Sequence, residues 1–352
     1  MDYSEEFITR HMGSISQVAG LKHYRFADGK AADVEAVDFR LGSGLSFTVL
    51  PGRGMDIAWA EYKGLSLAYM SKTGVVSPAY YEAEGMNWLR SFFAGLLTTC
   101  GLSNVGNPCV EKHEEIGDIQ HGLHGRVCNM AAEQVSVFED WADGKYVMEV
   151  SGKMREAQLH GENISLRRKI SAVLGEKCFK LHDTIKNEGA YDHDLMLLYH
   201  INIGYPVLDK NSRFVCKTLK STLMGTKTEQ TPSEYGACHE PVKRSVQKCY
   251  SHDTATDSQG FVRAAVINDE LGIGLGVCYR KSQLPQLTQW KTLSTGEYVI
   301  GIEPGTCAPM NRNWAAENGQ SCVLAPLQTK EVEILFHVLD GKEEIESFVS
   351  KL

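Results

Sequence analysis

Three short stretches of the chain concentrate side chains that can move protons or hold a polar ligand. The first is Ile119–Arg126, where His121, His124 and Arg126 stand among Gly122 and Gly125. Imidazole titrates near neutrality and serves as acid, base or metal ligand. Glycine lets backbone come close to a ligand. A loop with surface histidines would have the same composition, but the density of imidazole, guanidinium and glycine favours a site. The second stretch is Leu195–Pro206, in which an apolar run gives way to Tyr199, His200, Asn202 and Gly204. His200 and Asn202, two apart, share one face of a strand. On a buried face both need partners, because each unpaired polar group costs about 1–3 kcal/mol. A hydroxylated ligand would supply them, and so would a neighbouring strand. The third is Tyr298–Gly305, where Glu303 closes an apolar strand just before Pro304. A carboxylate at a strand's mouth either reaches water or lines a pocket with the raised pKa of a general base.

Two lesser segments add candidates. Arg90 lies among the aromatic residues of Asn87–Gly95 and either donates to ligand oxygens or packs its stem. Gln289 and Trp290 read as lying between strands, and a tryptophan face stacks on a sugar ring or fills a core or rim.

The elements that must position these residues are mostly strands. Ala36–Gly44, Leu45–Leu50 and Ile57–Gly64 alternate and end at glycine or proline turns. Lys145–Met154, Ile164–Val173, Phe179–Asn187, Gly260–Asn268, Leu271–Arg280, Glu297–Glu303 and Glu331–Val338 continue the period of two. Helical character is confined to Ser4–His11 in a polar lead-in over residues 1–22, to Tyr80–Leu97 and to Glu343–Leu352. No repeat or linker divides the chain, so the expectation is one all-β domain over 1–352, a large antiparallel β-sandwich with few short helices.

Composition narrows the partners. A net charge of −8 argues against a nucleic-acid or anionic-membrane surface. The longest basic cluster, Arg167–Lys169, reads as a solvated strand face. Ten cysteines form no Cys-x-x-Cys pair, and several sit in apolar runs, which points to a reducing compartment. The acidic N-terminus lacks an apolar signal region, and no apolar run approaches the roughly 20 residues of a membrane span. A cytoplasmic protein acting on a small polar ligand is expected, with the choice between monomer and homo-oligomer open. No glycine-rich nucleotide fingerprint is present.

Taken in order, Leu123-His124-Gly125-Arg126, Tyr199–Asn202 and Ile302-Glu303-Pro304 resemble the aldose 1-epimerase (galactose mutarotase-like) superfamily. With Leu50–Asp56 and Gly95–Leu102, the likeness extends over about residues 35–340 and points to a divergent branch. The resemblance implies a β-sandwich with one sugar cleft and cofactor-free exchange of α and β anomers. It implies Glu303 as base at the anomeric hydroxyl, His200 as acid at the ring oxygen and His124 assisting. That chemistry calls for an ionised Glu303 and a protonated His200, which their mutual attraction would favour. Arg90, His121, Arg126, Asn202, Gln289 and Trp290 are the expected ligand-binding residues. Arg126 replaces the second glycine of the family segment, and with Arg90 it would suit an acidic or phosphorylated sugar. Two other functions fit the same residues. One is a metal-dependent sugar isomerase or lyase using His121, His124, His200 and Glu303; the other is a carbohydrate-binding sensor without turnover.

Overall fold

The alternating segments become two large antiparallel sheets in the computed structural model, which describes residues 2–113, 117–226 and 228–352. One sheet has 13 strands and the other eight. The centre of the larger runs Leu97–Leu102, His193–Gly204, Glu297–Gly305, Gln286–Ser294, each strand bonded to the next. Lys145–Ala157, Asn163–Val173, Cys178–Asn187 and Thr329–Asp340 lie side by side in the smaller. The expected β-sandwich is therefore the observed fold, with four short α-helices among the described residues.

Alternation explains how the sheets join. Each strand turns one apolar row inward, and the rows interdigitate. Phe47 of the larger sheet stacks on Phe179 of the smaller at 4.2 Å between centroids, and Phe179 stacks on Phe336 at 4.5 Å. The central strands also have a covered outer face. There Cys100, Met196 and Leu198 pack beneath Trp88, Phe92, Leu123 and Cys128, which come from connecting segments. No helix among the described residues is long and apolar enough to cross a membrane.

Three expectations are corrected. Tyr80–Leu97 is not a helix: between the 3-10 turn Pro78–Tyr80 and the strand that begins at Leu97, it forms a 3-10 turn at Asn87–Arg90 and a two-residue strand at Ala94–Gly95. Ala94 and Gly95 have φ values of 62° and 65°, which no right-handed helix accepts. Burying Trp88 and Phe92 on the sheet outweighs the weak helical pattern. Gln289 and Trp290 lie within a strand, Gln286–Ser294, and not between strands. Arg167–Lys169 is only partly a solvated face. Arg167 and Lys169 are exposed, but Arg168 points inward and is fully buried. The two remaining helical readings hold, as Glu5–His11 with Ser4 capping its first turn and as Lys342–Val349.

Arg168 joins the sheets electrostatically. Its Nε and Nη2 donate to both carboxylate oxygens of Asp183, at 2.9 and 2.7 Å. Nη1 donates to Asp56 of the larger sheet at 3.1 Å. Tyr199 adds its hydroxyl to Asp183 at 2.7 Å. Removing one member of such a buried cluster strands the others. Arg168→Met is expected to destabilise the protein by about 3–5 kcal/mol in urea unfolding. A loss under about 1 kcal/mol would show that water already reaches the carboxylates.

Candidate functional site

The site forms where the two central strands carry their polar residues to the covered outer face. Leu198 pairs with Gly305 and Ile201 with Ile302, so His200 and Glu303 are direct cross-strand neighbours. Asn202 pairs with Gly301 on the same face. His200 Nε2 lies 3.2 Å from Glu303 Oε1, with side chains only 7% and 3% exposed. The approach is off the N–H direction, and Oε1 has no hydrogen bond. His200 Nδ1 and Asn202 Oδ1 are also buried without partners among the described residues. Asn202 fixes its amide by donating Nδ2 to the His200 and Ala94 carbonyls, at 2.8 and 3.3 Å.

Aromatic rings and a second histidine close the pair off. The rings of Phe92 and Trp290 lie 5.3 and 5.2 Å from the His200 ring. His124 approaches it to 6.1 Å and leans on Trp88 at 4.8 Å. The His-Gly pair of this loop has a structural reason. A Cβ on Gly125 would fall 2.4 Å from the Gly101 carbonyl oxygen, and its φ of 71° suits glycine. Phe92 and Trp290 also line an open cavity of about 450 Å³, whose lining does not include His200 or Glu303. That cavity is where a ligand would arrive.

Burial sets the protonation states. It pushes Glu303 up to about 8 and His200 down to about 3, with His124 adding to the fall at His200 and Asn202 opposing it. Burial likewise lowers His124 to about 4. At neutral pH the resting pair is therefore a carboxylic acid beside a neutral imidazole, and the expected ion pair is corrected. In so dry a place the cost of burying two ions exceeds their attraction. The pair still holds one proton between about pH 3 and pH 8.

The remaining candidates divide. Trp290 is at the site. Gln289, next to it in the strand, necessarily faces the other way: it is fully buried in the core, its Oε1 accepting from His252 Nε2 at 3.1 Å and its Nε2 donating to the Tyr235 carbonyl at 2.9 Å. His121 turns away to Glu111, 2.8 Å distant. Arg90 and Arg126 are exposed and do not line the cavity beside Trp290. The four residues of the metal alternative thus do not converge, and no group of three or more His, Cys, Asp or Glu among the described residues is placed to hold a metal ion.

Three residues of the site escaped the sequence reading. Phe92 was one of several aromatics in a stretch read as helical. Thr292, whose hydroxyl is buried and unpartnered, lines the cavity two residues beyond Trp290, and its spacing was the available signal. Gly301 makes room for the pair, since a Cβ there would meet Glu303 Oε1 at 2.6 Å and His200 Cε1 at 3.3 Å.

The protonation states carry a stability signature. Glu303 holds its proton in the fold up to about 8, whereas unfolded it ionises near 4.5, so folding loses stability as pH rises through that window. His200 is neutral in the fold down to about 3 but protonates near 6.5 unfolded, so it adds stability as pH rises to 6.5. The two offset where they overlap, leaving a net decline between 6.5 and 8, at most about 1.4 kcal/mol per pH unit. Glu303→Gln is expected to remove that decline in urea midpoints read across the window. Parallel declines in both proteins would mean Glu303 is already ionised.

The family described as "Domain of unknown function (DUF4432)" matches residues 31–338. No curated protein matches the sequence. Among solved structures, a protein from Klebsiella pneumoniae described as a "putative aldose 1-epimerase" is similar with a TM-score of 0.84 at 23% identity, over 94% of this chain and 86% of that one. A galactose mutarotase-like protein from Clostridium acetobutylicum gives 0.64 at 14%, over 92% and 99%. A galactose 1-epimerase from Lactobacillus acidophilus gives 0.58 at 12%, over 92% and 100%. At these identities the likeness is one of fold.

Proposed function

The chain belongs to the DUF4432 family, has the galactose mutarotase-like fold, and on that footing we propose that it interconverts the α and β anomers of a neutral aldose by acid–base ring opening at His200 and Glu303. The observation that carries this reading is the set of orphaned polar atoms. His200 Nδ1, Asn202 Oδ1 and Glu303 Oε1 belong to residues on one face of two neighbouring strands, and all three lack partners among the described residues. Native proteins rarely leave such groups unmet, and a sugar's hydroxyls both donate and accept.

The chemistry needs one proton and two groups. Sugar hydroxyls donating to Glu303 favour its carboxylate, and the shared proton passes to His200 across the 3.2 Å gap. Glu303 then takes the anomeric hydroxyl proton while His200 protonates the ring oxygen. The bond from C1 to the ring oxygen breaks, a C1 carbonyl forms, and rotation about C1–C2 presents its other face. Closure returns each proton. His124, neutral and close to His200, assists near the ring oxygen. The apolar cover of Phe92, Trp88 and Trp290 keeps competing water away. No cofactor is needed.

A neutral sugar suits the approach better than an acidic or phosphorylated one. Arg90 and Arg126 stay outside, and the cation of the entry cavity, Lys72, is already paired with Glu297 at 2.7 Å.

Anomer exchange followed by saturation-transfer NMR across neutral aldoses, uronates and sugar phosphates tests the reading. Glu303→Gln and His200→Asn are each expected to slow exchange by about 10²–10⁴-fold. A chelator should change nothing, and the rate should fall above about pH 8 as the pair loses its proton. Saturable sugar binding with no exchange would instead make the protein a binding module.

A further inference from the structure

We propose that the chain has a second ligand site, for a small neutral polyhydroxylated molecule, in a cavity of about 400 Å³ at the opposite end of the His193–Gly204 strand. His193 begins that strand and His200 lies seven residues on, so the two sites are roughly 23 Å apart at ~3.3 Å per residue.

Beside the cavity lies a buried polar atom without a partner among the described residues. His193 is 8% exposed and lines the cavity, and its Nε2 is buried without a partner among the described residues. Burial, with Arg312 nearby, lowers His193 to about 4, so the ring is neutral at pH 7. A neutral imidazole nitrogen either donates or accepts one hydrogen bond, and a hydroxyl answers both.

Another part of the lining is already organised. Glu111 Oε2 receives Arg312 Nε at 2.8 Å and lies 2.8 Å from His121 Nε2. Contact with His121 and then Arg312 holds Glu111 down at about 2, so it remains an anion. Arg312 is further fixed by donating Nη1 to the Ser103 and Asp194 carbonyls, at 3.1 and 2.8 Å. A surface ion pair has no need of so many fixed partners.

Charge and shape select the ligand class. Glu111, Glu162 and Asp192 are balanced in part by Lys112 and Arg312, so neither a strong anion nor a strong cation is favoured. Tyr191, 79% exposed at the rim, offers a ring for the C–H face of a cyclic polyol. The stretch Ile119–Arg126, the end of a strand and the turn after it, then has two uses, since His121 serves this cavity and His124 the first site. The histidine that does not join His200 and Glu303 thereby finds a role.

The test uses [15N]histidine-labelled full-length protein and long-range nitrogen–proton spectra of the imidazoles. The probes are D-glucose, D-galactose, myo-inositol and inorganic phosphate; myo-inositol has no anomeric carbon and cannot be turned over. The His193 signal, identified by its loss in His193→Phe, should shift saturably at roughly millimolar sugar or inositol. The shift should persist in Glu303→Gln. Tyr191→Ala, at an exposed position, should weaken it by about tenfold without altering anomer exchange. A His193 signal unmoved by every neutral probe overturns the proposal. So does a shift that vanishes in Glu303→Gln, or one produced by phosphate alone.

Discussion

The fold and the site depend on one turn, Pro51–Asp56, and on the two charges it buries. Arg53 is 1% exposed, and its guanidinium binds three backbone carbonyls. Nε donates to Cys128 at 2.8 Å, Nη2 to Ser91 at 3.2 Å, and Nη1 to Val76. Val76 and Ser91 lie in the connection between Met70 and Ala94, and Cys128 in the one between His121 and Glu133; these two connections supply the rings and side chains that cover the outer face of the larger sheet. Irregular backbone cannot lie buried with its carbonyls unmet. A guanidinium, with five donors in a fixed fork and weak hydration, answers several at once. Three residues later Asp56 accepts from Thr99, at its amide and its hydroxyl, and from Arg168 of the opposite sheet. One turn thus holds cover to sheet and sheet to sheet.

The dryness of the site follows from that anchoring. Phe92 lies one residue past Ser91, and Trp88 donates its indole N–H to the Cys128 sulfur at 3.1 Å, so the rings that seal His200 hang from the segments Arg53 ties down. Behind the site, Tyr199 faces inward to Asp183 while His200 faces outward to Glu303. The strand is held from both sides, and a neighbouring residue on the ionic cluster limits how far His200 can drift. Fixed groups in a water-poor pocket stabilise developing charge more strongly than mobile ones in water. Phe92 and Trp290 lie against the His200 ring and also line the 450 Å³ cavity; they are held by packing and by an exposed bond from Trp290 Nε1 to Gln247 at 3.1 Å. These are the contacts that can yield when a ligand enters.

Much of this was legible locally. Period-two alternation located most of the strands and put His200 and Asn202 on one face. The same rule, applied to Arg167–Lys169, would have sent Arg168 to the face opposite its neighbours, and applied to Gln289 and Trp290 would have separated them. What local patterns could not supply was register. His200 and Glu303 are about a hundred positions apart, and their pairing depends on which strands become neighbours. Only the order of motifs shared with a known superfamily suggested it. Tyr80–Leu97 misled for a related reason, because its aromatic residues answer to a distant sheet face and not to one another. The buried partners of Arg53 are backbone carbonyls, which leave no mark in a sequence at all.

The correction to the charge states bears on the proposed chemistry more than any misplaced residue does. Attraction between a carboxylate and an imidazolium favours the ion pair only where the surroundings can solvate both. Buried among Trp88, Phe92 and Trp290, the pair has little to solvate either ion, so the proton rests on Glu303. The neutral pair and the ion pair contain the same number of protons, and 3.2 Å separates them. Anomerisation requires each group to act as acid in one direction and base in the other. A pair carrying one shared proton meets that requirement without exchanging anything with water. In the proposed reaction the incoming sugar would then have two tasks, its hydroxyls answering the orphaned atoms and, by solvating the carboxylate, moving the proton to where ring opening needs it.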